Sequence, residues 1–253
     1  MSGLASPVAF AIALTVTSAH ATFADELTSS RNWSGCYLGA NAGYGRADAE
    51  ATDKPFTQGP FATDGTSWNS VGPPYEVIKS DDHGVVGGIE AGCDRQLDVE
   101  GLTLVIGGAV DFSLMNLAGT GTSAIVNDTH ASFDTDWVGT ARLRAGLAAD
   151  DLLFYVTGGV AVADIGVRAY DLSDWPTIGQ MNVSGGGTKS GWVAGAGAEW
   201  RFAENWSATL EYLHYDFGKV TASGAAIEPV GAFPRYENDL DFDVVRVGIR
   251  WRM

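Results

Sequence analysis

Beyond residue 24 the chain holds no uncharged apolar run long enough for a helix to cross a bilayer, which excludes a helical membrane protein there. Basic residues are also scarce, with 15 Lys and Arg against 31 Asp and Glu and a net charge of −16. Nucleic acid attracts basic surfaces, so it is excluded as a partner. Only four histidines occur. A nucleophile needs a base in reach, and these four offer little: His20 lies in the first 24 residues, and His83 and His130 in polar stretches read as loops. His214 stands in "YLHYDF", on an apolar strand face, and is followed by Tyr215 and Asp216 rather than by a serine two positions on. Two cysteines, Cys36 and Cys93, allow at most one internal disulfide.

Glycine, by contrast, is abundant: 33 residues, about twice the usual share. Residues 1–24 carry an apolar run from Val8 to Val16 and then Ala19-His20-Ala21. This predicts an export signal peptide cleaved near 21–24, although no Lys or Arg precedes the run. A short linker, 25–32, is expected before the folded domain, 33–253.

That domain is written in twos. In "WVAGAGAEWRF" (192–202), Trp192, Ala194, Ala196, Ala198, Trp200 and Phe202 share one parity. Val193, Gly195, Gly197, Glu199 and Arg201 share the other. Strict alternation predicts a strand with two unlike faces. The pattern recurs at 33–46, 85–96, 102–114, 137–148, 153–163, 206–217 and 243–253, giving eight strands. Connections at 97–101, 149–151 and 203–206 are short. Those at 47–82, 116–131, 166–188 and 219–239 are long and polar. Loops sorted by length in this way are the mark of a transmembrane barrel. The glycine-rich "SGGGTKS" (184–190) reads as flexible linker. "FDTDW" (133–137) and "DLSD" (171–174) read as solvated loop acids, without the spacing of a calcium loop.

Charge recurs in mid-strand on the non-apolar parity: Glu90, Arg142, Arg144, Glu199, Glu211, Arg246 and Arg250. An isolated charge in a dry core is costly. A narrow bore lined with both signs lets these groups pair, and the apolar parity then faces lipid. Aromatics on the apolar parity cluster at strand ends, as membrane interfaces favour. Tyr44, Phe112, Trp137 and Trp192 fall near one rim; Phe154, Trp200, Phe202 and Trp251 fall near the other. The expected fold is all-β, an eight-stranded antiparallel up-and-down transmembrane β-barrel. Closing the last strand on the first removes the open sheet edges that lipid does not tolerate.

The segments "GGIEAGCDRQ", "VGTARLRAG", "LLFYVTGGVAVA" and "WVAGAGAEWRFAENWSATLEYLHYDFG" resemble the small outer-membrane barrels of the RopB-like and opacity-protein type, a porin family with an OmpA-like membrane domain. The resemblance covers 33–253 apart from the loops. It implies integral residence in a bacterial outer membrane, with lipid and lipopolysaccharide as surroundings. It also implies delivery by the barrel-assembly machinery through the C-terminal strand, although this chain ends in Met253 where the family usually ends in Phe. Arg95 stands on the lipid-facing parity near the short-turn rim, where it can snorkel to headgroups.

Side chains nearly fill the bore of an eight-stranded barrel. The expected function is a structural, surface-interaction barrel showing four long acidic loops to an unidentified external partner. The alternatives are a narrow path for ions or small solutes and, further off, a lipid-modifying enzyme. No catalytic, cofactor or metal residue is assigned. Cys36 and Cys93 share the lipid-facing parity near the short-turn rim of antiparallel neighbours. They are expected to form a disulfide, the alternative being two free thiols packed as small apolar residues.

Overall fold

Eight strands, each antiparallel to its neighbours in sequence, form one closed barrel, with β8 returning to pair with β1. The computed structural model describes residues 32–62, 65–70, 72–171 and 179–253. The strands are β1 (Gly35–Lys54), β2 (Val77–Val99), β3 (Leu102–Thr122), β4 (Thr129–Ala149), β5 (Leu152–Asp171), β6 (Met181–Arg201), β7 (Trp206–Ser223) and β8 (Arg235–Arg252). Among the described residues no helix is long and apolar enough to cross a membrane. At one short turn, Glu100 and Gly101 both take positive φ, 49° and 83°, as a two-residue turn between twisted strands requires.

The strands run 18 to 23 residues, about twice the expected length. The four long connections shrink accordingly to 55–76, 123–128, 172–180 and 224–234. Residues 184–190 belong to β6 and are not linker; residues 133–137 belong to β4; His83 and His130 sit in β2 and β4 rather than in loops. The expected signal peptide, the linker up to residue 31 and residues 172–174 of "DLSD" lie outside the described residues.

The extra length escaped the sequence because the two faces exchange chemistry partway along each strand. In β8, Val245, Val247, Ile249 and Trp251 point outward and Arg246 and Arg250 inward. Directly before them the same outward parity carries Asp239, Asp241 and Asp243, and the inward parity Leu240, Phe242 and Val244. In β1, Tyr44 is the last apolar outward residue; Arg46, Asp48 and Glu50 follow outside while Ala47, Ala49 and Ala51 face in. Two strands also change phase at this level. Both Thr135 and Val138 are buried in β4, and both Phe217 and Val220 in β7, each beside a register irregularity.

The barrel therefore has two tiers. Toward the short turns it is apolar outside and charged inside. Toward the long loops it is polar outside and filled by an apolar core that includes Phe133, Met181, Tyr215, Phe217, Leu240 and Phe242. The Phe217 and Phe242 rings lie 5.4 Å apart across that upper interior.

Candidate functional site

The lower interior is packed with paired charge. Arg142, Arg144, Arg246, Arg250 and Arg252 interlock with Glu90, Asp94, Asp111, Glu199 and Glu211, a balanced set of ten. Glu211 lies directly opposite Arg246 in the β7–β8 ladder. It meets Arg246 at 2.6 Å and Arg142 at 3.1 Å, and also accepts from the Tyr155 hydroxyl at 3.0 Å. Glu199 collects Arg250 at 2.6 Å, Arg144 at 3.1 Å, Arg252 at 3.2 Å and the Ser207 hydroxyl at 2.7 Å. Arg250 returns to Glu90 through a fork, at 2.6 and 3.0 Å. Arg144 pairs with Asp94. Planar guanidinium groups suit such bidentate contacts.

Room for these long side chains comes from inward glycines. A Cβ on Gly39 would stand 3.0 Å from both the Arg250 side chain and a Glu90 carboxylate oxygen. A Cβ on Gly197 would sit 2.6 Å from the Tyr155 ring. The base of the bore is stopped by Trp33, fully buried beneath Tyr155 and Leu153. Arg201 stacks over its indole at 4.3 Å, and Arg252 donates to its carbonyl at 2.7 Å.

All seven charged positions singled out in the sequence are brought together in this network. Asp94, Asp111 and Arg252 also belong to it and were not singled out. Asp94 and Arg252 share the inward parity of Glu90 and Arg250 on their own strands, so parity was sufficient signal for them, whereas Asp111 joins through its place opposite Glu90 in the β2–β3 ladder. Trp33 gave none, because its seat depends on the far side of the closed ring.

On the outside, Tyr44, Phe112 and Trp192 stand exposed at the upper limit of the apolar band, with Trp137 stacked on Phe112 at 5.6 Å. Phe154, Trp200, Phe202 and Trp251 stand exposed near its lower limit, joined there by Trp206. His214 points outward beside Trp192, and its Nδ1 lies 2.9 Å from the Asp243 carboxylate. Cys36 and Cys93 face each other directly across β1 and β2, and are joined by a disulfide.

At the long-loop end, described residues of segment 55–76 reach across the mouth, pinned by three buried carboxylates at the strand ends. Asp53 accepts from the Ser67 hydroxyl at 2.7 Å and from the Asn69 backbone N–H at 2.8 Å. Glu76 accepts from the Asn69 side-chain amide at 2.7 Å and from Ser123 at 2.6 Å. Asp171 accepts from the Trp68 indole at 3.1 Å and from Thr129 at 3.2 Å. No sequence pattern marked this latch, since its partners meet only once the loop has folded back.

Burial pushes the Asp53 carboxyl above its ordinary value of 3.8, outweighing the hydrogen bonds from Asn69, Ser67 and Trp68. A carboxyl whose folded value is raised costs stability while ionised. That cost is relieved as pH falls through the folded value toward the unfolded one. Segment 55–76 is therefore expected to be cut by protease more slowly near pH 4, close to the ordinary carboxyl value, than at about pH 8, normalised to an unstructured peptide of the same sequence. Asp53→Asn should remove the dependence. Faster cutting in acid would reverse the assignment.

A family model described as outer membrane protein beta-barrel domain matches residues 9–252. The chain belongs to that family. It is an integral outer-membrane β-barrel protein, with the eight-stranded antiparallel fold. Among its relatives, the 31 kDa outer-membrane immunogenic protein of Brucella melitensis biotype 1 is 32% identical over 225 residues, covering 87% of this chain and 84% of the relative. The protein of the same description from Brucella suis biovar 1 matches to the same extent. Among solved structures, the outer membrane protein OprG from Pseudomonas aeruginosa covers 89% of this chain and all of its own, with a TM-score of 0.55 at 10% identity, a likeness of fold alone. For a member of this outer-membrane family, the apolar outer band is the surface that lies against lipid.

Proposed function

We propose that this barrel is a structural, surface-interaction protein. In this reading it anchors a rigid, loop-covered head outside the cell and conducts nothing through its bore. The observation that carries this reading is the closure of the interior at four successive levels. Trp33 stops the base, the arginine–carboxylate network fills the lower tier, the apolar core fills the upper tier, and Trp68 and Asn69 of segment 55–76 reach across the mouth. A water-filled path would need a polar lining throughout, and the upper tier offers buried Phe, Leu, Val and Ala instead. The aromatic rims serve as membrane anchors, and the short turns face the periplasm. An enzymatic role has less support, because the outward His214–Asp243 pair lies at the edge of the apolar band with Tyr212 bonded to the same carboxylate at 2.5 Å.

Purified, refolded protein in a planar bilayer tests the reading. The expected trace is flat at voltages where general porins show large steps. Reproducible steps of porin size would overturn it in favour of the narrow-channel alternative.

A further inference from the structure

The apolar outer band is not evenly filled. Leu143 of β4, 76% exposed, is flanked in the ladders by Gly108 of β3 and Gly158 of β5, so it stands as a ridge with bare backbone on either side. Two open grooves of about 840 and 800 Å³ meet there and share Cys93, Leu143 and Gly158. Packing does not require these two glycines. Neither takes a positive φ, and a Cβ on Gly108 or Gly158 would meet its nearest neighbour at 3.6 or 3.5 Å, an ordinary contact. The inward Gly159 differs, because the Ala141 carbonyl already occupies the place of its Cβ. Toward the short turns the larger groove is walled by Ile106, Ala145 and Val156 and ends at Arg95, all aligned in one row across β2 to β5.

Arg95 is exposed, and among the described residues it is the one charged side chain on the apolar outer band. It makes no ion pair or hydrogen bond, whereas the inward arginines of the same tier all meet carboxylates. Its stem can lie along apolar surface and hold the guanidinium at the membrane interface. A guanidinium takes phosphate oxygens in pairs. Cation and groove are thus complementary to the two ends of one class of molecule. We infer that this face holds one glycerophospholipid from the leaflet on the short-turn side, with its phosphate on Arg95 and an acyl chain in the groove beside Leu143. Free phosphate would leave the groove empty, and a neutral lipid would leave Arg95 without a counter-charge. The inference goes beyond the display reading and holds whether or not the bore conducts.

The test refolds the full chain in lipid-free detergent and follows lipid adducts by native mass spectrometry. Three lipids with the same acyl chains are added singly: phosphatidylglycerol, phosphatidylethanolamine and the diacylglycerol that lacks the phosphate. The expected result is one saturable adduct per barrel with either phospholipid, and binding of the diacylglycerol at least roughly tenfold weaker. Arg95→Gln should weaken both phospholipids by about tenfold and leave the diacylglycerol unchanged. Gly158→Val fills the groove floor and should weaken all three lipids. Excess inorganic phosphate should not displace the adduct. Heat-dependent gel mobility shows that each variant is folded. Equal binding of phospholipid and diacylglycerol, an unchanged Arg95→Gln or Gly158→Val variant, or displacement by phosphate would each overturn the site. So would a ladder of equivalent adducts, or a dimer of barrels in place of the single adduct.

Discussion

Replacing Glu199 by leucine is expected to lower the unfolding free energy of the detergent-folded barrel by roughly 3–5 kcal/mol. The carboxylate is fully buried and holds Arg144, Arg250 and Arg252 together, with Ser207 completing its shell. Leucine fills similar volume but returns none of those contacts, so three buried guanidinium groups lose a shared counter-charge. The penalty comes from what is left unpaired rather than from the worth of the intact pairs, since a buried network is not in itself more stabilising than an apolar filling. Leu210→Ala, on the outer face between inward Thr209 and Glu211, should cost clearly less, because its side chain is about half exposed already. Guanidinium unfolding followed by tryptophan fluorescence measures both. A smaller loss for Glu199→Leu than for Leu210→Ala would mean that the network contributes no more than the outer band.

Reduction of Cys36–Cys93 is expected to cost about 4 kcal/mol, since the bridge closes a loop spanning 57 residues of sequence in the unfolded chain. The cysteines are directly opposed on the outer face of β1 and β2, so removing the bond leaves two small side chains on a surface that already accepts apolar groups. The change therefore acts mainly on the unfolded ensemble. A Cys36→Ser, Cys93→Ser double variant should match the reduced wild type and no longer respond to reductant. Maleimide labelling gives an independent reading. Denatured, unreduced protein should take up no label, and two reactive thiols would remove the bridge from the account.

The lower tier was legible because its alternation is uninterrupted and its two faces differ sharply. Trp192 through Phe202 names both lipid and lumen within eleven residues. The upper tier was hidden for a definable reason. Past Tyr44 the outward parity turns to Arg46, Asp48 and Glu50, and the inward parity to alanine, so a pattern that still alternates no longer looks like the strand it continues. In β4 and β7 the phase also shifts near Trp137 and Gly218, and a reading based on one parity stops there. Segment 184–190 was misread for a related cause: Gly185 and Gly186 leave no room for a Cβ against neighbouring backbone, so they serve close strand contact where they had been read as slack. The charged site came through almost whole. The latch of Asp53, Glu76 and Asp171 did not, because it depends on contacts between segments that no local pattern couples.

The exchange of faces near Tyr44 also fixes the molecule vertically. A shift of one residue along a strand is about 3.3 Å of rise, lessened by tilt. Sinking toward the short turns would bring Arg46, Asp216, Asp241 and Asp243 into hydrocarbon, where each ionised group costs more the deeper it goes. Rising would draw Phe154, Trp200 and Trp251 out of the interface they favour. Both displacements meet opposition around most of the circumference, so the barrel carries its own waterline. Loop sequences can then change freely without altering how far the head stands from the bilayer.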